Sequence, residues 1–315
     1  MIKLKFFYKF IFIYFLIATG AYSADFDKGF NAFVIGDYNT ALNEFRELAD
    51  AGDVNAQFML GSMYFKGYGV ELNYQEAVRW YTLAAEQNES GAQYNLGLSY
   101  LDGSGVEKNI EEGIRWLELA AEQDHVEAIH QLGLVYYYLL ADYDSASKWF
   151  SLGMDFDYAE SIIELALMFE HGDGITQSYT DAFDLYLIAA ELGNSKAQCQ
   201  VGYHLRNGVG VDKNIKEALR WYLESANQLN TKAFYNIGVM YANGEFFDRN
   251  YVIGYIWLYL ASLHESDESE TARNTIKKLE NYMSEDEISD ALDLSNAEGI
   301  EYYLIESASE RLEIN

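Results

Sequence analysis

The sequence predicts an all-α protein: a right-handed superhelical solenoid of antiparallel helix pairs, closed by a C-terminal capping helix segment. Three observations carry this reading. Every tryptophan holds one place in a recurring unit, at Trp80, Trp116, Trp149, Trp221 and Trp257, with Leu185 standing in once, at spacings of 36, 33, 36, 36 and 36 residues. Such a period marks stacked units, each burying its apolar face against its neighbours. Apolar residues also recur at helical spacing on both sides of a glycine-bearing loop. Finally, the 315 residues include no proline, where average usage of about 5% would give roughly fifteen, so no ring interrupts a helix.

Residues 1–23 differ in character from the rest of the chain. Lys3, Lys5 and Lys9 lead an apolar run from Phe10 to Ala18, and Ala21-Tyr22-Ser23 places small residues where a signal peptidase inspects the chain. The run is shorter than the roughly 18 apolar residues of a membrane span, so it reads as a secretory signal peptide cleaved after Ser23, with Ala21 or Ala24 as alternatives. An uncleaved N-terminal anchor is the competing reading. Cleavage removes three lysines and no acid, leaving 18 basic against 50 acidic residues, a net charge of −32 in place of −29. Such a field disfavours nucleic acid and anionic membrane surfaces and steers basic partners toward the chain. It also keeps an extended repeat surface soluble. Cys199 is the only cysteine, so packing rather than disulfides holds the chain together.

In the best-formed unit, Ala56, Leu60 and Tyr64 lie at i, i+4 and i+8. Gly67, Gly69 and Val70 form the loop, and Ala77, Trp80, Tyr81, Ala84 and Ala85 form a second apolar stripe. A small residue precedes the aromatic by a turn, and Gly61, Gly97, Gly133, Gly202 and Gly238 hold the matching place in the first helix. Two backbones approach there, and the indole is expected to fill the wedge between helices. Its truncation to alanine should cost about 3–5 kcal/mol. The loop pattern G-x-G-V/I occurs four times, beginning at Gly67, Gly103, Gly172 and Gly208. It comes after a helix rather than a strand, which identifies a helix terminator with positive φ instead of a phosphate cradle.

Residues 26–52 and 136–146 cross with shorter loops and resemble plain tetratricopeptide units. The long-loop units, with A-x3-L-G-x2-Y-x2-G-x-G-V followed by A-x2-W-Y-x2-A-A, resemble the Sel-one-like repeat family over roughly residues 26–265. The domain limits are then a signal peptide at 1–23, a repeat array of about seven helix pairs at 24–265, and a helical cap at 266–315. Ser284 and Glu287 form a capping box for a helix through Ile288, Ala291 and Leu292, and residues 298–315 are expected to form a last, partly frayed helix.

Chemistry is not signalled. His125, His130, His171, His204 and His264 are dispersed, with no H-x3-H pair, and Asp155 and Asp157 lack the glycine and closing glutamate of a calcium loop. No G-x-S-x-G elbow occurs, and His204 lies at i+5 from Cys199, off its face. The expectation is no catalytic residue, no metal and no cofactor. In tetratricopeptide-like arrays the first helices line the concave side, which gives Phe58, Tyr94, His130, Tyr138, Tyr203 and Arg206 as candidate partner-binding residues. A partner protein or peptide in that groove is the expected function. The resemblance implies scaffolding in a cell envelope, with the periplasm or the exterior as location and no membrane span after cleavage. An envelope protein binding or acting on cell wall through a dispersed site, and a secreted host-directed effector, are the alternatives.

Overall fold

Asp53, Glu89, Asn194 and Asn230 each accept a first-turn amide at the start of a first helix that ends at a glycine. The computed structural model describes residues 22–263 and 267–314. The expected leader, apart from its last residues, lies outside them, as do His264 and Ser266. By its contacts the chain divides into two compact units, Met1–Val135 and Tyr136–Asn315. The sequence reads as one array, yet the division falls in the repeat whose loop is three residues short.

The first unit contains α1 (Tyr22–Val34), α2 (Tyr38–Asp50), α3 (Val54–Lys66), α4 (Tyr74–Glu86), α5 (Ser90–Asp102), α6 (Ile110–Ala121) and α7 (Val126–Leu134). A π-helical turn, Val135–Leu139, comes next. The second unit contains α8 (Tyr143–Asp155), α9 (Ala159–His171), α10 (Tyr179–Glu191), α11 (Ser195–Asn207), α12 (Ile215–Asn227), α13 (Thr231–Asn243) and α14 (Tyr251–Leu263). It is completed by α15 (Asp267–Leu279), α16 (Glu285–Ser295) and α17 (Ile300–Ile314). No strand occurs among the described residues, and the fold is the expected all-α stack of helix pairs.

Asn73, Asn109, Asn214 and Asn230 cap the starts of α4, α6, α12 and α13 by accepting from amides of the first turn. Gly67, Gly103, Gly172 and Gly208 end α3, α5, α9 and α11 in the left-handed conformation. The second glycine of each loop does something the sequence did not show. A Cβ on Gly105 would lie 2.2 Å from the carbonyl oxygen of Tyr74, and one on Gly210 would lie 2.1 Å from that of Tyr179. Each loop therefore docks its backbone on the first turn of the preceding repeat's second helix, at a distance only a glycine permits.

Polar rails run through the apolar stack. Gln93 donates from Nε2 to the carbonyl of Ala85 (3.2 Å) and accepts at Oε1 from Gln123 (2.7 Å). Gln57 repeats this with Ala49 and Gln87, and Gln198 with Ala190 and Gln228. One buried amide thus ties its own repeat's second helix to that of the repeat before, and satisfies carbonyls that a helix end would otherwise orphan.

The tryptophans are not equivalent. Trp80, Trp116 and Trp257 are buried, whereas Trp149 and Trp221 stay half-buried, so the expectation that every indole fills a closed wedge is corrected. Burial depends on what the neighbouring helices supply, which differs between repeats. The capping box at α16 forms, with Ser284 N–H donating to Glu287 (2.8 Å) and Glu287 N–H to Ser284 Oγ (3.3 Å). The frayed end is also corrected: Ile300, Leu304, Ile305, Ala308 and Leu312 are buried, and α17 packs back against α12. Their spacing makes one apolar stripe, whose burial offsets the entropy of ordering a chain end.

Candidate functional site

In the first unit, the candidate residues lie on successive first helices and are half-buried. Phe58 packs toward Tyr81 with ring centroids 6.1 Å apart, and Tyr94 stacks on His125 at 5.0 Å and 20°. Burial, reinforced by Glu127, raises the Tyr94 hydroxyl above its ordinary pKa. His130 on α7 is half-buried.

In the second unit the same row is more open. Tyr138 is 63% exposed, and its hydroxyl donates to Glu164 Oε2 at 3.4 Å. Tyr203 is 42% exposed and meets the His204 ring edge-on. Arg206 is engaged within the fold: Nε and Nη2 each lie 2.7 Å from a carboxylate oxygen of Glu245, a bidentate pair, and Nη1 reaches Asn236 Oδ1 at 3.4 Å. These hydrogen bonds hold the Glu245 carboxyl below its usual value.

A buried network beside this row was not anticipated. His204 on α11 is fully buried, with Nδ1 2.8 Å from the carbonyl oxygen of Val209 and Nε2 3.3 Å from Glu170 Oε1 on α9. A carbonyl only accepts, so Nδ1 carries a proton and donates. The Nε2 approach to Glu170 lacks good hydrogen-bond alignment. Glu170 also accepts from the Tyr186 hydroxyl at 2.7 Å. The available clue was positional: His204 occupies the slot held by buried Met63, Met168 and Met240 in other repeats.

His204 beside Glu170 is the main cause that holds its carboxyl below the ordinary 4.5; burial opposes it, and Tyr186 adds to it. A depressed folded value means that the carboxylate adds stability that is fully present above the unfolded-state pKa. That stability is lost as pH falls through the folded value. Glu170→Gln is accordingly expected to be less stable than the parent near pH 7, with the gap narrowing under acid. Urea midpoints of both proteins across pH 7 to 3 check this, and a gap that widens with acid would contradict it.

A recess on the first-helix row of this unit has a volume of about 480 Å³ and is lined by Ile163 and Leu167 of α9, Cys199 of α11 and Glu268 of α15, with Lys196 and Lys232 at the first turns of α11 and α13. Both lysines are exposed, and neither forms an ion pair among the described residues. They repeat at 36 residues, each just after a capping asparagine, a signal that the sequence carried in Asn194-Ser195-Lys196 and Asn230-Thr231-Lys232. Burial pushes the Cys199 thiol up to about 12, so it is a packing group and a poor nucleophile. Among the described residues no cluster of three metal-ligating side chains occurs, and no helix is long and apolar enough to cross a membrane.

Helix pairs of this length, glycine-docked and stacked through second-helix indoles, define a class of short-repeat α-solenoid proteins. The profile of the Sel1 repeat matches residues 54–89, 90–125, 126–153, 159–194, 195–228 and 232–265, and the chain belongs to that family. Among solved structures it is similar to a Sel1 repeat protein from Oxalobacter formigenes, at 28% identity and a TM-score of 0.65, over 77% of this chain and 98% of that one. It is also similar to c5321, a protective antigen present in uropathogenic Escherichia coli strains and displaying an SLR fold. There the identity is 28% and the TM-score 0.68, over 91% of this chain and 62% of the length of c5321. No curated protein matches the chain. Sel1 repeat proteins are in general protein-interaction scaffolds.

Proposed function

We propose that this protein is a non-catalytic scaffold of an exported compartment that holds a partner protein or peptide on its first-helix row. The observation that carries the reading is the open recess on α9, α11 and α13, where Ile163 and Leu167 form an apolar floor beside the ammonium groups of Lys196 and Lys232, which form no ion pair among the described residues. Tyr203 stands exposed on the same row. An apolar floor with a charged rim suits an extended segment whose side chains alternate between pocket and solvent. Export rests on Lys3, Lys5, Lys9 and the apolar run after them, and places the partner in a periplasm or outside the cell.

The test is capture from an envelope extract by the purified protein, beside a Lys196→Glu/Lys232→Glu/Tyr203→Ser variant of unchanged helicity. One protein retained by the parent and lost by the variant is the expected result. Equal retention by both, or retention by neither, would defeat the assignment of this row.

A further inference from the structure

Of the six Sel1 repeats, the one at residues 159–194 lacks a tryptophan and leaves a recess where the indole belongs. In the first unit, Trp80 is 4% exposed, packed among Leu42, Leu60, Tyr64 and Val70. The Arg79 guanidinium stacks over its ring at 4.2 Å, and Arg115 does the same over Trp116. The equivalent positions 105 residues later are Leu185 for Trp80, Ser147 for Leu42, Ser151 for Arg46 and Asp184 for Arg79. All four are smaller or shorter, and the last inverts the charge.

The second unit shows the consequence. A recess of about 460 Å³ opens between α8, α9 and α10, walled by Leu165, Phe169, Ile175, Met154 and Leu185, with Asp181 and Asp184 at its rim. Leu165, Phe169 and Ile175 are the counterparts of Leu60, Tyr64 and Val70, which enclose Trp80 in the intact repeat. The hydroxyls of Ser147 and Ser151 donate to the carbonyls of Asp144 (3.0 Å) and Ser147 (2.7 Å), so their oxygens remain able to accept. Both aspartates are exposed, and neither forms an ion pair among the described residues.

We propose that this recess binds a partner protein's tryptophan side chain flanked by a basic residue, supplying from outside the arginine–tryptophan pair that this repeat lacks. Leu165, Phe169 and Ile175 hold the repeat positions that enclose an indole elsewhere in the chain, and Ser147 and Ser151 on the lining can accept from an indole N–H. Asp184 replaces the stacked cation with its counter-charge, and Asp181 stands where Glu76 pairs with Arg79 in the intact repeat. The site lies between the second helices α8 and α10, with Leu165 and Phe169 contributed by α9, and shares no lining residue with the recess at Lys196 and Lys232. It rests on the scaffold reading only in taking its occupant to be a protein side chain.

The test titrates the purified protein with the blocked peptide acetyl-Ala-Arg-Trp-Ala-amide by calorimetry. Acetyl-Ala-Arg-Ala-Ala-amide, acetyl-Ala-Glu-Trp-Ala-amide and tryptamine serve as comparison probes. Saturable binding of the Arg-Trp peptide is expected, at least tenfold tighter than either altered peptide. Leu185→Trp should fill the recess with the chain's own indole, abolishing binding while the melting midpoint holds or rises. Asp181→Asn/Asp184→Asn should weaken binding at least fivefold with the fold untouched, a readout that stands even if Leu185→Trp misfolds. No binding by the parent, or undiminished binding by a folded Leu185→Trp variant, would overturn the proposal. Tryptamine binding without peptide binding would overturn it too, as a small-molecule amine site. Each of these results leaves the capture experiment at Lys196 and Lys232 unaffected, so the two readings fail separately.

Discussion

Gly210→Ala is expected to cost about 4 kcal/mol or more, among the largest effects of any methyl-sized change in the chain. Its φ is +70°, and an added Cβ would fall 2.1 Å from the carbonyl oxygen and 2.3 Å from the carbonyl carbon of Tyr179. Both are backbone atoms of the first turn of α10, which cannot turn aside as a side chain would. Gly208, two residues earlier in the same loop, isolates the cause. Its φ is +71°, but the nearest atom to its Cβ would be Lys213 Cβ at 3.4 Å, an ordinary contact. Gly208→Ala should therefore show only the left-handed backbone penalty of about 1–2 kcal/mol. Urea unfolding of the two variants reads the difference, and hydrogen exchange across α10 and α11 locates it. Equal losses would mean that loop docking contributes nothing beyond backbone conformation.

Trp257→Ala is expected to cost about 3–5 kcal/mol. Trp257 is 0% exposed and packs against Phe234 at 5.6 Å between ring centroids. Its indole nitrogen has no hydrogen-bond partner, so truncation orphans no polar group, and the loss is one of packing and transfer alone. Trp221, at the same repeat position but half-buried, should lose clearly less on the same change. Stability in a stacked array is close to a sum of neighbour terms, so each substitution should act mainly on its own repeat and those beside it. Comparable losses at the two sites would show that repeat position, and not burial, sets the contribution.

Much of the fold was legible because it is periodic. The spacing of 33 to 36 residues between Trp80, Trp116, Trp149, Leu185, Trp221 and Trp257 located the second helices, and the glycine loops located the ends of the first. The capping box at Ser284 was legible because it is local, with both partners inside four residues. Interactions between repeats were not. Arg206 and Glu245 lie 39 residues apart, so the bidentate pair that engages the arginine has no short-range signature. His204 reads as an ordinary helix residue until Glu170, from the preceding repeat, is placed 3.3 Å away. The two lysines at the recess sit at an ordinary helix start, and only the packing of α9, α11 and α13 brings them to one rim.

The sequence by itself determined the helix class, the repeat length and the order of helices, because hydrophobic period, capping residues and glycine terminators all act within one or two turns. Only the tertiary structure decided which indoles are closed off, where α17 docks, and that the Leu185 repeat opens a recess instead of collapsing. Those outcomes depend on the volumes and charges of side chains brought together from different repeats. A local pattern states what each residue can do, and the neighbours that it meets in the stack determine what it does.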